Sequence, residues 1–205
     1  AMRALAQHKP VVAVMGAIAA SGGYITAIGA DHIIARGNTI TGSIGVLFQN
    51  TEVSELLDKL GVNIELLASG PLKAKPSPFA PLDEQGRAAL NVLIKDSYKW
   101  FLGLVAERRN LAPDEARALS DGRLFSGRMA LEAKLIDQIG GVPEAREWLE
   151  KQKSISADLP LEPVEYGDRF PFMARASDSL AASLIGKSQH LKRLTLDGLV
   201  SIWHP

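Results

Sequence analysis

Residues 11–35, VVAVMGAIAASGGYITAIGADHIIA, decide the fold class of this chain. They open on a continuous apolar run, 11–15, as expected of a strand that is buried on both faces. The small-residue segment that follows predicts a helix beginning soon after the pair of glycines, and HIIA at 32–35 predicts the next strand. This alternation of strand, helix and strand indicates an α/β layer built on a mostly parallel sheet.

The remaining sequence extends the pattern and then changes character. Further strands are predicted at 41–48 and 62–68, with a helix at 52–60 between them. Beyond Pro81 the pattern is helical. Helices are predicted at 83–109, 127–134 and 143–152. Another is predicted to begin at Pro113, and an amphipathic one is predicted near 178–194. We expect one main domain over 1–150 and a C-terminal extension over 151–205 that packs on the body or contacts another subunit.

The bulk composition excludes several classes of function. The 205 residues are 46% apolar and carry no formal net charge, as in an ordinary globular protein, and nothing favours a nucleic-acid partner. The sequence contains no cysteine, so disulfides, thiolate nucleophiles and cysteine metal sites are excluded. No apolar run approaches the roughly 20 residues that cross a bilayer. The opening AMRALAQHKP is typical of the end of a helix, so we expect a missing upstream part.

Ser21 is the first candidate for chemistry. It follows a buried strand, precedes a helix and is itself followed by two glycines. The N–H groups of a first helical turn are unpaired and can donate to a developing oxyanion. The alternative is that Ser21 only caps the helix while the glycines permit tight packing.

A serine nucleophile needs a base, and the histidines lack the sequence context of a triad base. They are His8, His32, His190 and His204. His32, inside an apolar run, is interpreted as structural. Lysine is the other option: Lys73 and Lys75 lie in the loop SGPLKAKP, where burial against apolar neighbours would favour a neutral amine. The chemistry leaves both lysines open, beside the alternative that both are solvated.

Four blocks of the sequence together resemble the signal peptide peptidase A (protease IV) family, in its bacterial type with a single catalytic unit. They occur in the order and at the spacing of that family, and the resemblance runs from about residue 9 to 150. The blocks are ASGGY at 20–24, TGSIGV at 41–46, SGPLK at 69–73 and DGRLFSGRMALEAKLID at 121–137.

The resemblance implies a serine endopeptidase that uses a Ser–Lys dyad. Ser21 matches the nucleophile, Lys73 matches the general base in preference to Lys75, and Ser43 matches a serine that positions the lysine. The backbone N–H of Gly22 matches an oxyanion donor. The mechanism needs no metal and no organic cofactor. Within the fourth block we expect the arginines to have structural roles.

The resemblance also implies a Clp-protease/crotonase-like fold, a spiral of β-β-α turns with a helical C-terminal part. It implies peptide substrates, including remnant signal peptides, hydrolysed on the outer (periplasmic or extracytoplasmic) face of the bacterial cytoplasmic membrane. Related proteins form homo-oligomers whose active sites lie at subunit interfaces. The family has an upstream membrane anchor and an upstream strand with a second oxyanion donor. We therefore expect this chain alone to be poorly active or inactive.

Two other functions remain compatible with the residues alone. One is a crotonase-type acyl-CoA enzyme on the same fold, which would leave the SGPLK loop without a purpose. The other is a non-catalytic assembly fragment in which the serine and the lysine are relics.

Overall fold

A computed structural model describes residues 1–163 of the chain. These residues belong to two compact units, one over 1–145 and one that starts at Arg146. The predicted amphipathic helix at 178–194 lies outside the described residues, and the predicted division into domains at residue 150 stays a prediction. Within the described part, no helix is both long enough and apolar enough to cross a membrane.

The secondary structure of the described residues alternates short strands with helices. The strands are Val12–Met15 (β1), Ile18–Ala20 (β2), His32–Ala35 (β3), Ile40–Gly42 (β4), Leu124–Ser126 (β5) and Gln138–Ile139 (β6). The helices are Met2–Ala6 (α1), Gly22–Ala27 (α2), Ser54–Lys59 (α3), Glu84–Arg109 (α4), Pro113–Ala118 (α5), Gly127–Glu132 (α6) and Val142–Lys153 (α7).

The strands form two small sheets. The first has the order β1-β3-β6 and is parallel throughout; the second has the order β2-β4-β5, with β2 parallel to β4 and β5 antiparallel to it. Each pass of the chain therefore sends one strand to each sheet, β1 then β2, and β3 then β4. The predicted α/β class with mostly parallel pairing is confirmed.

Most predicted elements occur, but one predicted strand is absent and another is much shorter than expected. The helix expected after the glycine pair is α2, and the long helix expected at 83–109 is α4, capped by the Asp83 carboxylate on the Gly86 N–H at 2.8 Å. The strand predicted at 62–68 is absent, and only the first residues of the one predicted at 41–48 are a strand. A strand requires a partner to pair with and a surface to cover. Neither is available here, because no residue from 45 to 85 is buried.

The core lies between the sheets and helices α2 and α4. Tyr24 of α2 is fully buried, and its hydroxyl donates to the Leu135 carbonyl at 2.7 Å. Burial raises the pKa of the Tyr24 phenol, so the hydroxyl stays protonated and keeps donating. On α4, Phe101 and Val105 are buried in the same cluster. Helix α2, which begins directly after Ser21, is thus anchored along its inner face.

The last turn of α4 also holds the far end of α2. Arg108 donates to the carbonyl of Ile28, which the end of a helix leaves unpaired, at 3.0 Å, and to that of Ala30 in the following turn at 2.7 Å. Its neighbour Arg109 pairs with the Asp137 carboxylate at 2.6 Å. These two arginines therefore bind the last turn of α4 to the body of the domain.

Two glycine-to-alanine changes in helices test this packing. A Cβ at Gly127 would lie 2.0 Å from the Arg36 carbonyl oxygen, whereas a Cβ at Gly103 would meet nothing within 4 Å. We expect Gly127→Ala to lower the free energy of unfolding by about 3 kcal/mol, because the obstructing atom belongs to the backbone. Gly103→Ala should raise it by about 0.5–1 kcal/mol through helix propensity. Urea unfolding followed by circular dichroism measures both, and equal effects would contradict the described packing.

Candidate functional site

Ser21 and Ser43 lie side by side at the carboxyl ends of two adjacent parallel strands. The register pairs Ala20 of β2 with Gly42 of β4, so each serine is the next residue along. The Ser21 N–H donates to the Gly42 carbonyl at 2.8 Å and extends the ladder by one bond. The structure therefore brings together two of the residues singled out in the sequence.

The backbone of Ser21 is held in an unusual conformation. Its φ of 51° and ψ of −114° lie in a region that side-chain-bearing residues rarely occupy. The residue is exposed, and its side chain makes no capping hydrogen bond to α2. Ser21 occupies the N-cap position, but the interpretation that its side chain caps the helix is wrong. A strained strand-to-helix turn that presents an exposed hydroxyl is the arrangement seen at nucleophile elbows.

The backbone beside Ser21 offers free donors. Gly22 is the first residue of α2, so its N–H has no carbonyl four residues earlier in the helix. No described group accepts a hydrogen bond from it. A Cβ built on Gly22 would meet nothing within 4 Å, so the space around it is open in the single chain. This N–H could donate to an oxygen of a bound molecule.

Ser43 is held in place by strand β5 and by the residue just before that strand. Its φ is 50°, and its N–H donates to the Arg123 carbonyl at 2.9 Å. Just before it, Gly42 has a φ of 76°, and a Cβ there would lie 2.5 Å from the Phe125 ring. The Arg123 guanidinium pairs with Asp121 and lowers the pKa of that carboxyl to about 2. These contacts agree with the scaffold role expected of this block.

Lys73 lies elsewhere in the chain. It is exposed, in a turn at residues 71–74. Within residues 1–163, no hydrogen bond or ion pair joins its amine to Ser21, to Ser43 or to any other group. The amine of Lys75, by contrast, is paired with the Asp83 carboxylate. The described chain thus does not join the predicted base to the predicted nucleophile.

The remaining polar candidates have structural contacts. His32 is half-buried, with its Nε2 3.1 Å from the Gln138 amide oxygen and its Nδ1 3.7 Å from Asp137. This agrees with the structural role expected of it. Among residues 1–163, no group of three or more histidine, aspartate or glutamate side chains is arranged to hold a metal ion.

Thr41 belongs to the site although the sequence reasoning did not single it out. Its buried hydroxyl donates to the Ala19 carbonyl at 2.8 Å and ties β4 to β2 directly behind the two serines. The sequence feature that could have identified Thr41 is a hydroxyl at an inward-facing strand position. A buried hydroxyl must find a hydrogen-bonding partner. The strand β2 that supplies this partner was itself not predicted.

The strain at Ser21 can be measured with two variants. Glycine adopts a positive φ without steric conflict and alanine does not. We expect Ser21→Gly to have a free energy of unfolding about 1 kcal/mol higher than that of Ser21→Ala. The matched control is Ala20→Gly in β2, where glycine should destabilise. Urea unfolding curves compare the three, and a Ser21→Gly variant less stable than Ser21→Ala would contradict the strained backbone.

Comparisons with known proteins identify relatives of this chain. A candidate protease of Synechocystis sp. is 39% identical over 165 residues, 80% of this chain and 60% of that protein. A candidate signal peptide peptidase SppA of Enterococcus faecium is 34% identical over 95% of this chain and 55% of that protein. Protease 4 of Haemophilus influenzae is 37% identical over 67% of this chain and 22% of that protein. The chain thus spans about half to three fifths of the first two relatives.

The family comparison covers most of the described residues. The model of "Peptidase family S49" matches residues 3–156, which include both strands of the serine pair, the Lys73 loop and helices α2 to α7. From this match we conclude that the chain belongs to peptidase family S49.

Proposed function

We propose that this chain carries the catalytic machinery of a serine endopeptidase, with Ser21 as nucleophile and Lys73 as general base. The observation that carries the proposal is the exposed, strained Ser21 beside Ser43 in a member of peptidase family S49. A conformation that costs about 1–3 kcal/mol persists where the surrounding structure enforces it, and such residues cluster at active sites.

The proposed reaction uses only groups of the protein and water. Neutral Lys73 removes the proton from the Ser21 hydroxyl as its oxygen attacks the peptide carbonyl, and the Gly22 N–H stabilises the oxyanion. Lys73 then protonates the leaving amine. The same lysine activates a water molecule that hydrolyses the acyl-enzyme and regenerates Ser21. Ser43, adjacent to Ser21, hydrogen-bonds and orients the lysine.

The surroundings of the two lysines favour Lys73 as the base. The Lys75 ammonium is paired with Asp83 and lowers the pKa of that carboxyl, so its amine is already engaged. Lys73 makes no such contact among residues 1–163. Only an amine that is free to approach Ser21 can accept its proton.

We further propose that Lys73 reaches Ser21 of a neighbouring copy in a homo-oligomer. Lys73 lies in a stretch, residues 45–85, without a buried residue. Large apolar side chains exposed in this stretch by more than half include Leu47, Leu56, Leu60, Leu66 and Leu67. Exposed apolar surface of this extent marks an interaction site. A second copy covering it would bring its own Ser21 to the Lys73 loop.

Other parts of the proposal rest on the family resemblance. The two sheets, each receiving one strand per pass of the chain, are compatible with a Clp-protease/crotonase-like spiral of β-β-α turns. We propose that the complete protein is held at the cytoplasmic membrane, with this part on the outer side. Its substrates there would be peptides such as remnant signal peptides. Membership in a peptidase family favours this function over a crotonase-type acyl-CoA enzyme.

A serine-reactive phosphonate tests the dyad in the complete protein. We expect Ser21→Ala to abolish labelling and to lower kcat/KM for peptide hydrolysis by at least about 1,000-fold. Lys73→Ala should lower it by about 100-fold or more, because the hydroxyl loses its base. The control Lys99→Ala removes an exposed lysine of α4 and should leave both readouts unchanged. Labelling that persists in Ser21→Ala would rule out the proposed nucleophile.

Mixing two inactive variants tests whether the dyad spans subunits. In a mixed oligomer, Lys73→Ala subunits contribute Ser21 and Ser21→Ala subunits contribute Lys73. An equal mixture should recover about one quarter of wild-type activity, the fraction of interfaces that combine the two intact groups. Each variant alone, dissociated and reassembled in the same way, serves as control. A mixture without activity, in oligomers shown to exchange subunits, would place the dyad within one chain.

A further inference from the structure

The turn that carries Lys73 is closed by the backbone of Lys75. The Lys75 N–H donates to the Leu72 carbonyl at 3.2 Å, so Lys73 and Ala74 are the two central residues of a four-residue turn. Two residues earlier, the Lys73 N–H donates to the Gly70 carbonyl at 3.2 Å. These two turn hydrogen bonds therefore hold the backbone on both sides of Lys73.

The side chain of Lys75 fastens this turn to the N-terminus of α4. Its amine pairs with one oxygen of the Asp83 carboxylate, while the other oxygen accepts the Gly86 N–H at 2.8 Å. Gly86 is buried, and a Cβ there would lie 3.2 Å from the Lys75 Cδ, so the lysine stem packs on the first turn of the helix. A single carboxylate thus caps the helix and holds the loop.

Helix α4 is a rigid support for this attachment. It has 26 residues, so it is about 39 Å long, and its second half contributes the buried side chains of Phe101 and Val105 to the core. Its last turn is bound to the body by Arg108 and Arg109. No residue from 45 to 85 is buried. The ion pair of Lys75 with Asp83 therefore connects the Lys73 turn to a helix that is anchored in the core.

We propose that Lys75 and Asp83 are positioning residues, whose ion pair holds the Lys73 turn in the place from which its amine reaches Ser21. This inference rests on the proposed function of Lys73 as general base. A base must lie within hydrogen-bonding distance of the hydroxyl it deprotonates, and a displacement of about 1 Å can lower the rate by up to 100-fold. The Lys75 ammonium and the Gly86 N–H lower the pKa of Asp83, so its carboxylate is charged at neutral pH.

The test uses two substitutions that break the pair with little change of shape. Asp83→Asn keeps an oxygen to cap the Gly86 N–H and removes the charge. Lys75→Met keeps the apolar stem against Gly86 and removes the amine. In the complete protein, each should lower kcat and the rate of phosphonate labelling about 10-fold, with KM within about twofold of wild type. The double variant should lose no more than either single one, because both remove the same interaction.

Further variants separate a positioning role from a general loss of structure. Lys75→Arg keeps the charge and should retain kcat within about threefold. In a Lys73→Ala background, Asp83→Asn should have no further effect on the residual rate, since the pair acts through Lys73. The matched control is Glu147→Gln, which breaks another exposed lysine–carboxylate pair, with Lys151 of α7, and should leave kcat unchanged. Thermal unfolding midpoints verify that every variant is folded.

Failure of this inference is distinguishable from failure of the proposed function. If labelling depends on Ser21 and Lys73 but folded Asp83→Asn and Lys75→Met variants keep wild-type kcat, the positioning role of the Lys75–Asp83 pair is wrong. The proposed Ser–Lys dyad is then unaffected. The positioning role would also be wrong if Asp83→Asn lowered kcat as much in the Lys73→Ala background as in the wild type. The same holds if the losses of kcat multiplied in the Asp83→Asn/Lys75→Met double variant. If labelling does not depend on Ser21 at all, the proposed function itself is wrong.

Discussion

The pairing of β2 with β4 is the interaction on which the candidate site depends. It aligns Ala20 with Gly42, and the hydrogen bond from the Ser21 N–H to the Gly42 carbonyl continues that alignment by one residue. Because the two strands are parallel, both segments leave the sheet at the same edge, where Ser21 and Ser43 become neighbours. The Thr41 hydroxyl on the Ala19 carbonyl strengthens the same pair of strands from the inside.

The strained backbone of Ser21 is tolerable only because its neighbours restrict it from both sides. Its N–H is held by β4, and its carbonyl accepts the Ile25 N–H at 2.9 Å as the first bond of α2. Helix α2 cannot move to relieve the strain, since Tyr24 is buried and bonded to Leu135. The sheet and the helix thus impose the conformation of the residue between them, and the exposed hydroxyl follows from it.

The two halves of the proposed dyad lie in physically different surroundings. Ser21 and Ser43 are attached to paired strands and a buried helix, which fix their positions within the single chain. Lys73 lies in a stretch, 45–85, that has no buried residue and exposes many apolar side chains. Such a stretch lacks the burial that usually overcomes the loss of conformational entropy. Within the single chain, the ion pair of Lys75 with Asp83 attaches this stretch to α4.

Local patterns predicted the elements whose formation depends on their own residues. The strand at the apolar run 11–15, the helix capped by Asp83 and the helix opened by Pro113 all follow from burial, capping and proline geometry, and all occur. The strand expected at 62–68 does not, although its composition is equally strand-like, because no partner strand lies beside it among residues 1–163. Strand β2, of only three residues, was missed since its small side chains carry no clear period.

By itself, the sequence determined the fold class, the order of most elements and the residue types available for chemistry, because these follow from apolar periodicity and from recognisable blocks. Only the tertiary structure decided that Ser21 does not cap its helix, that Ser43 is its neighbour, and that the amine of Lys75 is engaged by Asp83. Ser21 and Ser43 are 22 residues apart in the chain, and the Arg123 carbonyl that holds Ser43 lies 80 residues beyond it. Contacts over such separations depend on strand register and on packing, which no local propensity encodes.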